Sequence, residues 1–248
     1  MGTCSPRKHA VLGRTQPRLG LRDGVGTGLG RGWGGVGSPL GRRSEEQRGV
    51  RSGEMTKTLR LNLTVSNEAA GVFGHTERLM LERRAGESGA HVAMKLLAYG
   101  LFYSEGLCIE RAVGGPHKPD LVRVDARGRP VQWIECGQVA AEKIEALLRR
   151  YPDLAVDVVK GDQGTLGRWA ASVGRRLSAP HRVRAWAFGP GLVEPLCDRL
   201  ADGDAVTMTV DEAMGQVWLD HRGETLSASV HRALGAVSAR RVGGRWLP

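Results

Sequence analysis

The sequence has none of the long apolar runs that mark a membrane-spanning chain. No stretch approaches the ~20 apolar residues that a helix needs to cross a bilayer. Its start also lacks the charged segment and apolar core that mark a secretory signal. These absences predict a protein that is not inserted in a membrane.

Cysteine is also scarce. The chain has four cysteines, Cys4, Cys108, Cys136 and Cys197, which are far apart and form no C-x-x-C pair. Such spacing supports neither a zinc site nor a disulfide framework. A reduced, cytoplasmic protein is therefore the expectation.

Acidic residues are in the minority, with 26 against 36 basic ones, so the net charge is +10. The excess lies near the two ends of the chain: residues 1–54 carry a net charge of +6, and Arg240, Arg241 and Arg245 lie close to the C-terminus. The part between them is nearly neutral, whereas sequence-independent DNA binding needs several phosphate contacts from Lys or Arg. The charge therefore argues against strong nucleic-acid binding by this part of the chain.

Residues 1–54 contain 14 of the 36 glycines and show no helical or strand period. Such a segment buries too little apolar surface to offset its backbone entropy, so we expect a disordered Gly/Arg-rich arm. Three interpretations are open: an arm that binds nucleic acid, a transit peptide, or a mis-assigned start with translation beginning at Met55. The third is favoured because the sequence after Met55 continues directly into a strand. We also expect residues 236–248 to form a flexible basic tail.

Regular patterns begin after Met55. Apolar residues alternate with polar ones over residues 59–65, which predicts a half-buried strand, and residues 75–82 are its expected antiparallel partner. Residues 86–103 have the apolar spacing of a largely buried helix. Two short apolar runs within residues 119–135 are separated by DARGRP, whose composition is typical of a hairpin turn.

The rest of the chain alternates helices and strands. We expect helices over residues 140–150, 165–177 and 192–200, and strands over residues 155–159, 182–188, 206–210 and 216–219. This order predicts an α/β fold with a mixed central sheet flanked by helices.

The hairpin places two carboxylates at the same end. Asp120 precedes its first strand and Glu135 ends its second strand, so the two can converge because neighbouring strands lie ~4.8 Å apart. Two close carboxylates repel each other unless a proton or cation lies between them. An oxygen-only pair favours Mg²⁺, which could activate water for phosphodiester hydrolysis.

The motif Pro119-Asp120, fourteen further residues and then Glu135 resembles the PD-(D/E)xK restriction-endonuclease-like superfamily. Within it, the segments LNLTVSNEAAGVF, GLCIERAV, WIECGQ and TMTVDEAMGQVWLD resemble the YaeQ family in content and order. The resemblance implies one domain over residues 55–235 with a restriction-endonuclease-like core.

The resemblance also implies roles for individual residues. Asp120 and Glu135 would be metal-binding carboxylates, and the backbone carbonyl of Cys136 a further ligand. Glu87, at the start of the long helix, would be an outer ligand or would position water.

From the residues alone, other roles are open. Asp120 could instead only cap or solvate the end of a strand, and Glu87 could be an ordinary first-turn helix acid. His91, one helical turn after Glu87, is more typical of a partly buried histidine with satisfied hydrogen bonds.

The sequence departs from the superfamily pattern at one position. Gly137 stands where the superfamily has a lysine, two residues after the glutamate. Gln138 or Lys143 could replace that lysine, although Lys143 could equally be a solvated helix residue. Two functions are therefore open: a Mg²⁺-dependent nuclease acting on DNA or RNA, and a catalytically inactive binding or regulatory module with the same fold.

Overall fold

The computed structural model describes residues 56–234. The expected arm over residues 1–54 and the expected tail over residues 236–248 lie outside the described residues. The strands are β1 (Lys57–Asn67), β2 (Val72–Arg83), β3 (Leu107–Ile109), β4 (Leu121–Val124), β5 (Pro130–Cys136), β6 (Ala155–Lys160), β7 (Val183–Phe188), β8 (Ala205–Asp211), β9 (Gln216–His221) and β10 (Glu224–Ala233). The helices are α1 (Gly89–Leu101), α2 (Ala141–Arg150), α3 (Gln163–Val173) and α4 (Val193–Arg199).

All ten strands form one mixed sheet in the order β2-β1-β8-β9-β10-β7-β6-β5-β4-β3. Strands β5, β6 and β7 are parallel, and so are β1 and β8, whereas the remaining neighbours are antiparallel. The two edge strands, β2 and β3, approach each other without pairing, so the sheet is nearly closed.

The helices cover the sheet according to the alternation of its side chains. Helix α1 is buried from Val92 to Gly100 and packs with α4 on one apolar cluster, which includes Ile134 and Cys136 of β5. Helices α2 and α3 pack on the second cluster, which includes Trp133. Because successive residues of a strand point to opposite faces, β5 contributes to both clusters.

Most of the predicted elements are confirmed, with shifted ends. The helix expected over residues 86–103 begins at Gly89, because Gly86 has φ +80° and the Ser88 hydroxyl caps the helix by accepting from His91 N. Helix α3 begins earlier than expected because the Asp162 carboxylate accepts from Thr165 N at 2.8 Å. It also ends earlier, at Val173, followed by a short 3-10 turn.

Two strands were not predicted. Strand β3 has only three residues, too few to show a period, and β10 is mostly half-buried with a weak apolar pattern. β10 pairs with β9 across the two-residue turn Arg222-Gly223, which was the local signal available for it, whereas its pairing with β7 joins residues distant in sequence. None of the four helices that the structure describes has the length and hydropathy needed to cross a bilayer.

Candidate metal centre

Asp120 lies where the hairpin predicts, just before β4 and beside the end of β5. Leu121 pairs with Ile134 in the antiparallel ladder, which sets Asp120 beside the last residues of β5. The Asp120 Oδ2 atom accepts a hydrogen bond from the backbone N–H of Cys136 at 2.7 Å. The strand register therefore holds one oxygen of this carboxylate and leaves Oδ1 directed toward helix α1.

Helix α1 brings two further groups to Asp120. The Nε2 atom of His91 lies 3.2 Å from Asp120 Oδ1 and 3.0 Å from Glu87 Oε1. One ligand atom from each of these residues lies within 4.8 Å of the other two, which is close enough for a single cation. Among residues 56–234, no other three His, Cys, Asp or Glu residues form such a group.

The Glu87 carboxylate is held in place by neighbouring groups. Its Oε2 atom accepts from the backbone N–H of Arg84 at 2.9 Å. Its Oε1 atom lies 2.9 Å from Nζ of Lys95, one helical turn beyond His91. The spacing of four residues places Glu87, His91 and Lys95 along one line of α1.

Lys95 is fully buried, with 0% of its side chain exposed, and connects two edges of the sheet. Its Nζ atom donates at 2.8 Å to the carbonyl of Glu82 in β2 and at 2.8 Å to the carboxylate of Glu110, which follows β3. Burial lowers the pKa of Lys95, but Glu110 and Glu87 outweigh it and raise the pKa above its ordinary value.

The pKa of Glu110, the partner of Lys95, is shifted downward. Burial raises the pKa of this carboxyl, but hydrogen bonds from Lys95 and Lys118 lower it to about 2. Arg84 adds a third cation, with Nη2 at 2.8 Å from Glu110 Oε2. Glu110 therefore remains ionised throughout the range in which proteins are usually studied.

Glu135 lies beside the group of Glu87, His91 and Asp120 and is not a member of it. Its Oε1 atom accepts from the indole N–H of Trp133 at 2.5 Å and lies 2.7 Å from Nζ of Lys143. Burial raises the pKa of Glu135, Lys143 and Trp133 oppose the shift, and the nearby charge of Asp120 adds to it. The structure thus brings Lys143, whose side chain is 25% exposed, to Glu135 from helix α2. The catalytic role expected for Lys143 stays a prediction.

The residues that follow Glu135 differ in exposure. The Cys136 thiol is buried, and burial together with the charges of Asp120 and Glu135 raises its pKa well above the ordinary value. Gln138 is exposed. The ligand roles expected for Glu135 and Cys136, and the catalytic role expected for Gln138, stay predictions.

Gly137 occupies a position that favours glycine. Its φ angle is +75°, a conformation that favours glycine, and a Cβ atom here would lie 3.1 Å from Nδ1 of His91. A side chain at position 137 would therefore strain the backbone and displace the histidine.

A second buried lysine lies at the same end of the sheet. Lys160, at the end of β6 and 2% exposed, donates from Nζ to the Gly137 carbonyl and lies 4.9 Å from the ring of Trp169. Burial lowers the pKa of Lys160 to about 8. Trp169 in turn donates its indole N–H to the carbonyl of Val139 at 3.0 Å. The connection from β5 to α2 is thus held by two side chains from neighbouring elements.

Sequence reasoning missed three contributors to this region, namely Lys95, Glu110 and Lys160, and it favoured an ordinary partly buried role for His91. The spacing of four residues from Glu87 to His91 and on to Lys95 was the available signal for Lys95. Glu110 and Lys160 carried none, because they reach the region only through the pairing of β3 with β4 and of β6 with β5.

Comparisons with known proteins agree with one another. The sequence over residues 55–230 matches the family model described as YaeQ protein. No curated protein matches the sequence significantly. The structure is similar to the crystal structure of a YaeQ protein from Xanthomonas axonopodis pv. citri, at 22% identity and a TM-score of 0.58, covering 70% of this chain and 95% of that one. It is also similar to the crystal structure of a YaeQ protein from Pseudomonas syringae, at 20% identity and a TM-score of 0.57, covering 72% and 94%. At these identities the structural similarities show the fold alone.

Proposed function

This chain belongs to the YaeQ family, and we propose that Glu87, His91 and Asp120 bind a divalent cation at a site that hydrolyses phosphodiester bonds in DNA or RNA. The observation that carries the proposal is the approach of three ligand atoms, from two elements of the fold, to within 4.8 Å of one another. Two carboxylates at that separation gain from a cation between them.

The chemistry of the donors bears on which cation fits. Mg²⁺, expected from the pair of Asp120 and Glu135, prefers oxygen ligands. The imidazole of His91 adds a nitrogen donor, which suits Mn²⁺ or Zn²⁺ better. The three side chains fit a divalent transition metal, and Mg²⁺ is the second choice. The nitrogen donor would be Nε2 of His91, the atom that lies near both carboxylates.

A cation held there would supply Lewis-acid activation of water and stabilise the leaving oxygen. The chain's own groups would do the rest. Hydrolysis forms one P–O bond from water and breaks one ester P–O bond, so a proton must leave the attacking water, and the leaving oxygen takes a proton from solvent water. Glu135 is suited to accept the first proton because burial raises its pKa. The Lys143 ammonium, beside Glu135, is suited to stabilise negative charge on the phosphate.

The same arrangement supports placement in the PD-(D/E)xK superfamily. Asp120 before β4, Glu135 in β5 and Glu87 before α1 take the positions that the superfamily motif implies, on a hairpin followed by α2 and the parallel strand β6. Lys143 takes the role of the superfamily lysine from helix α2.

A specific observation favours a second candidate, a catalytically inactive binding or regulatory module. The carboxylates of Glu87 and Glu135 already have ion-pair partners in Lys95 and Lys143. A site whose charges are internally compensated could keep the fold without binding a cation. The two candidates therefore differ in cation binding and in cleavage.

The test is calorimetric titration of the full chain with Mn²⁺, Zn²⁺ and Mg²⁺, followed by incubation with single- and double-stranded DNA and with RNA. We expect Mn²⁺ to bind and nucleic acid to be cleaved. Asp120→Asn and His91→Ala should each weaken binding at least roughly tenfold, whereas Asp153→Asn, an exposed carboxylate after α2, should not. Absence of cation binding by the unmodified chain would refute the proposal. Binding without cleavage of any substrate would support the inactive module.

A further inference from the structure

A cavity of about 430 Å³ opens on the face of the sheet that carries α2. It lies between residues 115–117 and the second half of α2, and Trp133 of β5 also lines it. Its size falls within the range typical of small-molecule sites. It is large enough for one nucleotide and too small for a duplex.

The chemistry of the cavity is apolar at the base and basic at the rim. Tyr151 provides a half-buried aromatic surface, and His117, Arg149 and Arg150 provide the cationic groups. Leu147 and Trp133 also line the cavity but are almost fully buried. None of the described residues that line it is acidic. A ligand with a planar ring and a negative charge matches this combination.

Two of these side chains are held in place before any ligand binds. Arg150 donates from Nη2 to the Gly114 carbonyl at 2.7 Å, and its guanidinium lies 5.5 Å from the Tyr151 ring. The Tyr151 hydroxyl lies 3.4 Å from the Val113 carbonyl. The loop before β4 and the end of α2 therefore form one wall, with the ring of Tyr151 fixed in orientation.

Arg149 is different, because its side chain is available for a ligand. It is 71% exposed, and its ion-pair partner Glu145 lies 3.8 Å away. Glu145 is itself engaged closely by the backbone N–H and hydroxyl of Ser178. An anion at the rim could recruit Arg149 without breaking a strong ion pair.

The cavity is connected to the candidate metal centre by two residues. Trp133 lines the cavity, and its indole N–H donates to Glu135. His117 lines the cavity three residues before Asp120. A ligand in the cavity would therefore be linked to Glu135 through Trp133 and to Asp120 through the three-residue segment that begins at His117.

We propose that this cavity binds one unpaired nucleotide of a nucleic-acid strand, with its base on Tyr151 and its phosphate on Arg149 and His117. The inference deepens the proposed function and rests on it, because it names the substrate as a single-stranded segment or end. Base–aromatic stacking combined with Arg contacts to phosphate is the usual chemistry of single-strand binding. A duplex would not enter without unpairing.

The test is titration of the full chain with AMP, GMP, CMP and UMP, with inorganic phosphate and ribose 5-phosphate as probes that lack a base. Calorimetry reports binding. We expect the nucleotides to bind more tightly than either probe without a base. Arg149→Ala should weaken nucleotide binding roughly fivefold, the effect of one lost charge-assisted hydrogen bond. Arg127→Ala, which removes the same charge from the exposed β4–β5 turn, should have no effect.

Further outcomes separate this inference from the proposed function. Ala146→Trp, which fills the cavity, should abolish nucleotide binding while leaving Mn²⁺ binding unchanged; if that variant fails to fold, Arg149→Glu serves instead. Absence of nucleotide binding, equal affinity for phosphate and nucleotides, or equal loss in Arg127→Ala would each overturn the inference. Loss of Mn²⁺ binding is measured separately and bears on the proposed function alone.

Discussion

Two buried lysines in this protein show that burial alone does not set a pKa. Lys95 lies between Glu87 and Glu110, and its pKa is raised. Lys160 has a carbonyl oxygen and an aromatic ring as neighbours, and its pKa is lowered to about 8. The difference is the presence of compensating carboxylates, which favour the charged form more than desolvation disfavours it.

Replacing Glu110 should change how the free energy of unfolding depends on pH. The pKa of Glu110 is about 2 in the folded chain against 4.5 ordinarily, so its contribution is fully present above about pH 4.5 and is lost as the pH falls toward 2. We expect Glu110→Gln to lower the unfolding free energy at pH 7 by about 3 kcal/mol and to reduce the further loss between pH 4.5 and pH 2. Urea unfolding across that range measures both effects. Glu105→Gln, at an exposed carboxylate, is the control. An acid dependence identical to that of the unmodified chain would contradict the prediction.

Lys160 should produce the opposite dependence at alkaline pH. Its pKa is about 8 when folded and 10.5 ordinarily, so the folded chain loses this proton first and stability rises as the pH increases from 8 to 10.5. The rise should be about 2–3 kcal/mol. Lys160→Met should remove it, whereas Lys57→Met, at an exposed lysine, should preserve it. Chemical unfolding at pH 8, 9 and 10 tests this, and an unchanged slope in Lys160→Met would disprove it.

At the level of secondary-structure elements, the connection between β5 and α2 is the segment on which the candidate centre depends. It leads from Glu135 to Lys143, and its carbonyl groups accept from Lys160 and Trp169. Gly137 at its start has a positive φ angle and packs against His91 of α1. This contact couples the geometry of the connection to the position of the histidine.

Gly137→Ala should therefore both destabilise the chain and disturb His91. Gly128 in the β4–β5 turn has a similar φ of +78°, but a Cβ atom there would have open space within 4 Å, so Gly128→Ala is a matched control for backbone strain. Each substitution should cost about 1–2 kcal/mol from strain. Gly137→Ala should cost more and should also weaken Mn²⁺ binding. Equal destabilisation and unchanged Mn²⁺ affinity in the two variants would show that the His91 contact is unimportant.

Across the whole domain, Lys95 connects parts of the chain that are distant in the sheet. The order of strands places β2 and β3 at opposite edges, and Lys95 of α1 contacts Glu82 in β2 and Glu110 after β3. The nearly closed sheet therefore surrounds a charged group as well as an apolar core. Its ion pairs compensate the cost of burying three charges together.

Lys95→Met should be among the most destabilising single substitutions in the domain. It leaves the carboxylates of Glu87 and Glu110 without their buried partner, which typically costs about 3–5 kcal/mol. Lys118→Met is a matched control because Lys118 contacts the same Glu110 carboxylate, at 3.0 Å, from a side chain that is 40% exposed. The control should cost about 1 kcal/mol or less. Urea unfolding at pH 7 distinguishes the two, and comparable losses would indicate that burial of Lys95 has no special energetic role.

Local pattern in the chain was sufficient for much of this architecture. Alternating residues predicted β1, the turn chemistry of DARGRP predicted the β4–β5 hairpin, and helical spacing predicted α1, because these signals arise from neighbours within a few residues. The hairpin also placed Asp120 beside the end of β5, since its register follows from the turn.

Packing in three dimensions was needed for the rest of the candidate centre. Which carboxylate meets which cation depends on how α1, β3 and β6 come together, so the pairing of Lys95 with Glu110, the position of Lys160 and the approach of His91 to Asp120 had no local signature. Ion pairs and ligand groups are set by distances between elements, and those distances exist only in the folded chain.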